Sequence, residues 1–239
     1  MIEITKLTKQ YGAHTAVTDV TCTVRPGVVT GLLGPNGAGK STTLRMLVGL
    51  TRPTAGVATI LGRRYVDLPA PAATVGVLLD SGGVHPGRTG LETVTLAAMA
   101  LGVDRRRTDG VLRLVGLTPA ETKRPLRAYS LGMRQRLGVA AALLADPQVL
   151  ILDEPANGLD PQGIAWMREL LCSLAAQGRT ILLSSHLLHE VDLIADDVLI
   201  MGAGRVLAAG PKADIVGSST LEERFFTLTA STSRTETAA

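Results

Sequence analysis

Read by the period of its apolar positions, the chain begins with short continuous runs and turns to helical spacing in its middle. Residues 2–7 (IEITKL) and 15–24 (TAVTDVTCTV) predict strands, the second with Val20, Cys22 and Val24 turned inward. RPG at 25–27 turns the chain into a third strand, VVTGLL, at 28–33. A Gly-rich loop follows, then a helix from about Lys40 to Gly49, and GVATIL (56–61) and VGVLL (75–79) predict two more strands. From about 88 to 146 the spacing is helical, as in GLETVTLAAMALG and SLGMRQRLGVAAALLA, which predicts an inserted helical subdomain. The strand pattern resumes at VLIL, residues 149–152. Asp160 and Pro161 supply an N-cap and a first-turn proline for a helix ending near Gly178. TILLSS (180–185) predicts a strand, LLHEVDLIADD a helix, and DVLIMGAGRVLAAG (197–210) a hairpin around GAG. The expected architecture is one α/β domain over residues 1–229: a mostly parallel sheet, a smaller antiparallel β part and the helical insert. Residues 230–239 are small and polar and read as a disordered tail.

The 239 residues suit one large domain or a core with a small insert. Hydrophobic residues reach 46% and mean hydropathy is +0.26. Yet the longest apolar run, LGVAAALLA at 137–145, stops at Asp146 and Pro147, short of the ~20 residues that span a bilayer. The apolar surplus therefore predicts parallel strands buried on both faces. The opening MIEITK carries Glu3 and no long apolar stretch, so no secretion signal is expected. Cys22 and Cys172 have no metal-ligand spacing and read as buried small hydrophobes in a reducing compartment. The net charge of +3 comes with short arginine clusters at 63–64, 105–107, 123–127 and 134–136. They read as solvated faces, or else as a partner surface or the rim of a nucleotide site. Aromatic residues are only 3%, leaving little to stack on bases, so no nucleic-acid partner is expected.

GPNGAGKST at 34–42 fits the spacing Gly-x-x-x-x-Gly-Lys-Ser/Thr, with Gly34, Gly39, Lys40 and Ser41 between a predicted strand and a predicted helix. Glycines let backbone N–H groups turn inward around phosphates, and the helix start adds partial positive charge. Gly34, Pro35, Asn36, Gly37, Ala38, Gly39, Lys40, Ser41 and Thr42 thus form a candidate nucleotide-binding loop. Lys40 would reach the β- and γ-phosphates and Ser41 would ligate Mg²⁺. In VLILDEP (149–155) a buried strand delivers Asp153 at its carboxyl end, where open α/β sheets bind ligands. Asp153 suits a hard cation, and Glu154 beside it suits the role of general base toward water. Otherwise Glu154 is a surface acid after a strand.

YSLGMRQRLGVAAALLADPQVLILDEP resembles the signature helix of ATP-binding cassette (ABC) proteins running into their second nucleotide motif, with Ser130 lying 23 residues before Asp153. The resemblance implies the P-loop NTPase fold, ATP and Mg²⁺ as ligands, and hydrolysis of that ATP. It implies that Ser130 and Gly132 open a helix pointing at the γ-phosphate of an ATP held by a second subunit. Ser130 is a good N-cap, and a helix start attracts phosphate. The segment Asn157 to Asp160 is similar to the family's loop that couples the two sites of a dimer. His186 matches the switch histidine that contacts the γ-phosphate; His14, His85 and His189 read as structural. Tyr11 matches the aromatic that stacks on adenine, with Val17 beneath the ring; the alternative is a core tyrosine.

LLDSGGVHPGRTGLETV and LEERFFTLT further resemble ATPases of drug- and antibiotic-exporting pumps with a separate membrane subunit. This implies a pair of cassettes, expected as a homodimer, peripheral on the cytoplasmic side of the membrane beside its permease. Val84, Pro86, Leu91 and Met99 are expected to meet a permease helix, unless their helix packs wholly inside the subdomain. Two positions depart from the family. Leu131 stands where glycine is usual, and Asp80 stands where a glutamine usually serves Mg²⁺ and the attacking water. Asp80 is expected either to take that metal-binding, catalytic place with a full charge or to cap the turn before SGG.

The chain has no N-K-x-D motif for guanine, and the 90 positions from Lys40 to Ser130 show no heptads for a coiled-coil chromosome ATPase. One cassette, where translation factors of the superfamily carry two, leaves a transport motor or a stand-alone soluble ATPase. Importer motors often carry a regulatory domain after the cassette, so export is expected.

Overall fold

The computed structural model describes residues 1–79 and 84–230. In chain order the strands are β1 (Ile2–Tyr11), β2 (His14–Val24), β3 (Val29–Leu33), β4 (Ala55–Ile60), β5 (Val75–Leu78), β6 (Val149–Asp153), β7 (Thr180–Ser185), β8 (Asp197–Gly202) and β9 (Arg205–Pro211). The helices are α1 (Lys40–Leu47), α2 (Pro71–Thr74), α3 (Gly90–Leu101), α4 (Arg106–Leu114), α5 (Pro119–Thr122), α6 (Leu131–Leu143), α7 (Pro161–Ala176), α8 (Leu188–Ile194), α9 (Lys212–Val216) and α10 (Leu221–Thr229).

The larger sheet runs β5-β6-β7-β3-β8-β9, parallel except for the β8–β9 hairpin. Alternation of buried side chains explains why its central strands read as unbroken apolar runs. Along β6, Val149 and Ile151 face one core while Leu150 and Leu152 face the other. Along β8, Val198 and Ile200 share the second core and Leu199 and Met201 the first. One face is covered by α1 and by the antiparallel sheet β2-β1-β4, through Leu44, Leu47, Ile2, Ile4 and Val20. The opposite face is covered by α7, through Met167, Leu170, Leu171 and Leu174, and by the helical insert α3–α6. A side chain such as Ile151 or Leu150, buried from both sides, contributes roughly 1.5–3 kcal/mol by leaving water.

Several sequence expectations need correction. β1 extends four residues past Leu7 to Tyr11, pairing with β2 through register shifts. Helices α9 and α10 were not anticipated. A capping box between Thr220 and Glu223 starts α10, and Leu221 anchors it in the core. The arginine clusters are not simply solvated faces. Arg107 Nε donates to the Leu144 carbonyl at 2.9 Å. Arg136 donates to the Val115 carbonyl at 2.7 Å and stacks on Trp166 at 4.2 Å. Arg107 ties the helical insert to itself and Arg136 ties it also to α7, because a guanidinium can bond carbonyls while its flat face covers an indole.

Cys172 is exposed on α7, not buried, whereas Cys22 is half-buried beside the first core. Burial pushes the Cys22 thiol up to about 12, leaving about one molecule in ten thousand as thiolate at pH 8. A thiol reagent at that pH is therefore expected to label Cys172 first, with Cys22 reacting only after denaturation. Two equally fast thiols in the folded chain, read by mass spectrometry, would contradict this packing.

Candidate active site

Strands β6, β7 and β3 lie side by side, with Asp153 opposite Ser184 and Leu33 opposite Ser185. Their carboxyl ends therefore converge, and each carries a polar segment: Asp153–Glu154 after β6, Ser185–His186 after β7, and the loop 34–39 after β3. The edge of a parallel sheet is where the chain can place such groups without interrupting the core.

The loop wraps closely enough that side chains are excluded. A Cβ on Gly34 would lie 2.6 Å from the Met201 carbonyl oxygen and 2.9 Å from Ala38 Cβ. Gly39, the N-cap of α1, has a φ of 98°, and a Cβ there would lie 2.7 Å from the Ala16 carbonyl oxygen. No side chain caps α1, so the N–H groups of its first turn remain oriented toward an incoming anion. Lys40 is only 8% exposed, and its ammonium donates to the Gly34 carbonyl at 2.6 Å and to that of Pro35 at 3.4 Å. Burial holds this ammonium below its usual range, while the nearby carboxylates of Glu154 and Asp153 oppose the shift.

Ser184 Oγ donates to Asp153 Oδ1, fixing that carboxylate against β7. Glu154 follows with a left-handed φ of 51°. Its Oε2 lies 2.6 Å from His186 Nδ1 and accepts the His186 backbone N–H at 3.3 Å. His186 can donate from Nδ1 to this carboxylate, which leaves its Nε2 for another partner.

Helix α6 is capped by Ser130, whose Oγ accepts the Met133 N–H at 3.1 Å. Its first turn meets the segment after Glu154, not loop 34–42. Gly132 faces the Gly158 carbonyl and Leu159, and Leu131 closes over Gly158 where a Cβ would not fit. That accounts for leucine at this position: its side chain, 47% exposed, lies along the neighbouring loop instead of across the helix start.

Tyr11 is no core tyrosine. Its ring is 49% exposed at the end of β1, and Lys9 Nζ sits 4.7 Å from the ring centroid. Val17 corrects the expectation of an apolar contact beneath a base: it is wholly buried in the first core, supporting Gly39 from below. Alternation along β2 leaves Ala16 half-exposed in its place. Asp80 lies outside the described residues. Two residues that sequence reasoning did not single out hold the acids in place. Ser184 lies in the doublet ending TILLSS, and Gln135, inside RQR, donates from Nε2 to the Glu154 carbonyl at 2.7 Å. A third, Glu190, has its carboxyl pushed up by burial near His186 and Glu154.

The sequence profile of the ABC transporter family matches residues 17–157, from β2 to the loop beyond Glu154. The bacitracin transport ATP-binding protein BcrA of Bacillus licheniformis is 42% identical over 214 residues, covering 88% of this chain and 70% of that protein. The lantibiotic transport ATP-binding protein SrtF of Streptococcus pyogenes is 37% identical over 227 residues, covering 94% and 96%. A solved ATP-binding subunit of an ABC transporter superposes with a TM-score of 0.86 at 33% identity, over 95% of this chain and 99% of the other. With the glycine-rich loop, Asp153, Glu154 and His186 on one sheet edge of this fold, the chain belongs to the ABC transporter family as an ATP-hydrolysing subunit.

Proposed function

We propose that loop 34–42 binds ATP with Mg²⁺ and that Glu154 acts as general base for its hydrolysis, in a pair of identical cassettes driving a separate permease for export. The observation that carries this reading is the meeting of Lys40, Asp153, Glu154 and His186 at one sheet edge, with the Glu154 carboxylate held by His186.

Phosphate oxygens are stronger acceptors than the loop carbonyls that Lys40 now uses, so the ammonium moves to the β- and γ-phosphates when ATP arrives. Asp153 and the Ser41 hydroxyl are the oxygen donors a hard cation prefers, and Asp153 is already oriented by Ser184. They would hold Mg²⁺, which supplies charge neutralisation of the phosphates. With Oε2 of Glu154 engaged by His186, Oε1 is left to take a proton from the attacking water. Tyr11 offers its exposed ring to the adenine.

Gly132 lies against the segment following Glu154, in the helix that Ser130 caps, which supports a signature helix acting on the ATP of a second copy. No helix among the described residues is long and apolar enough to cross a membrane, in keeping with a motor seated peripherally on the cytoplasmic side beside a permease. Two relatives are named for bacitracin and lantibiotic transport, which supports export of antibiotic, drug-like or lipid-like molecules.

The docking face includes Met99, 62% exposed on α3, and the exposed Val84 and Pro86 in the segment before that helix. Leu91, half-buried, packs against the core beneath α3 and contributes only part of its side chain to that face. Affinity purification of the chain from solubilised membranes is expected to bring down one polytopic membrane protein. Met99→Glu should weaken that association about 30-fold, the worth of a central interface residue. Recovery of soluble partners alone would overturn the transport reading, and undiminished recovery with Met99→Glu would move the dock to another face.

A further inference from the structure

Glu154 occupies a backbone region that side-chain-bearing residues rarely adopt, with a φ of 51°. Such a conformation persists only where the surroundings fix it. Its N–H donates to the Ser184 carbonyl at 3.2 Å and to Ser184 Oγ at 3.0 Å. Its carbonyl accepts from Gln135 Nε2 at 2.7 Å. One backbone group of the base is thus held by β7 and the other by α6. Gln135 is only 5% exposed, and its Oε1 has no hydrogen-bond partner among the described residues. Burying half an amide unpaired is unfavourable. An apolar side chain would fill the same space without that cost, so packing alone does not account for glutamine here.

We propose that Gln135 is a positioning residue for Glu154: the bond from its Nε2 to the Glu154 carbonyl lets helix α6 set the backbone, and so the carboxylate, of the base. The inference rests on the reading of Glu154 as that base. Gln135 sits one and a half turns into the helix that Ser130 caps, roughly 7–8 Å along its axis. Leu131 over Gly158 and Gly132 against the Gly158 carbonyl add a second grip on the same segment. A displacement of the α6 start by an ATP on the neighbouring copy therefore reaches this chain's own Glu154 through rigid helix and one hydrogen bond.

The test is steady-state ATP hydrolysis by the full-length chain carrying Gln135→Met, which keeps the length and removes the donor. The expected result is a kcat about 10- to 100-fold lower, the scale of a reacting group misplaced by an ångström or less, with KM for ATP unchanged. Combined with Glu154→Gln, the substitution should slow the reaction no further than Glu154→Gln alone, because Gln135 acts only through that carboxylate. Thermal melting monitors folding, and Gln135→Glu, of the same shape without an N–H donor, stands in if the methionine variant melts early. A folded variant with parental kcat, or a loss that multiplies in full with that of Glu154→Gln, overturns the proposal. Should Glu154→Gln itself hydrolyse at the parental rate, it is the assignment of the base that fails.

Discussion

Replacing Glu154 with glutamine is expected to lower ATP hydrolysis about 10²- to 10⁴-fold, the usual worth of a general base. That corresponds to about 2.7–5.5 kcal/mol of transition-state stabilisation. The substitution removes the proton acceptor but keeps shape, so the replacement can still occupy the left-handed turn that Glu154 makes between Ser184 and Gln135. An amide oxygen in place of Oε2 still accepts from His186, so the histidine keeps its place. Lys40, Ser41 and Asp153 are untouched, and ATP binding is expected to persist and to hold two cassettes closed. Single-turnover hydrolysis beside equilibrium ATP binding checks both halves. A variant that hydrolyses at the parental rate would remove Glu154 from the chemistry.

Strands buried on both faces were legible because each is a continuous apolar run closed by a polar residue, as in VLILD and TILLSS. The helical insert was legible from its period, and the start of α7 from Asp160, whose Oδ1 accepts the Gly163 N–H at 2.7 Å. Less legible were elements whose stability comes from tertiary contact. α10 has a capping box in its sequence, but LEERFFTLT is only nine residues long, too short to be stable alone, and it is held by Leu221 inserted in the core. Cys172 illustrates the limit of residue type as a guide: cysteine is most often buried, yet the exposed face of α7 carries it.

At the site, the phosphate loop and the acid pair could be placed because local chain geometry alone sets their spacing. Val17 could not, because whether it or Ala16 faces outward depends on the register of β2 against β1, which shifts three times along the pair. Gln135 and Ser184 were invisible for a different reason. Each matters only through a partner far along the chain, Glu154 at a separation of 19 for Gln135 and Asp153 at 31 for Ser184. No spacing rule relates an α6 side chain to a carbonyl at the end of β6 until the insert is folded onto the sheet.

The central claim is that one ATP is served by Lys40 of one copy and Ser130 of another. Within this chain Ser130 caps a helix resting on the Gly158 segment, while Lys40 opens α1 and bonds back to the loop after β3. Lys40→Ala removes the ammonium from every phosphate site and should cost about 10²–10³ in rate, the scale of losing one preorganised electrostatic contact. Ser130→Arg places a bulky cation at the helix start and removes the cap, so it too should silence every site in its own dimers. A mixed dimer, however, pairs the sound loop of one chain with the sound helix of the other. Random pairing of equal amounts makes half the dimers mixed, each with one of two sites intact, which gives about a quarter of the parental ATPase rate for a two-fold assembly. The decisive measurement is the ATPase rate of the equimolar mixture after subunit exchange. About a quarter of the parental rate is the predicted result, and a mixture as inactive as either variant alone would contradict the shared site.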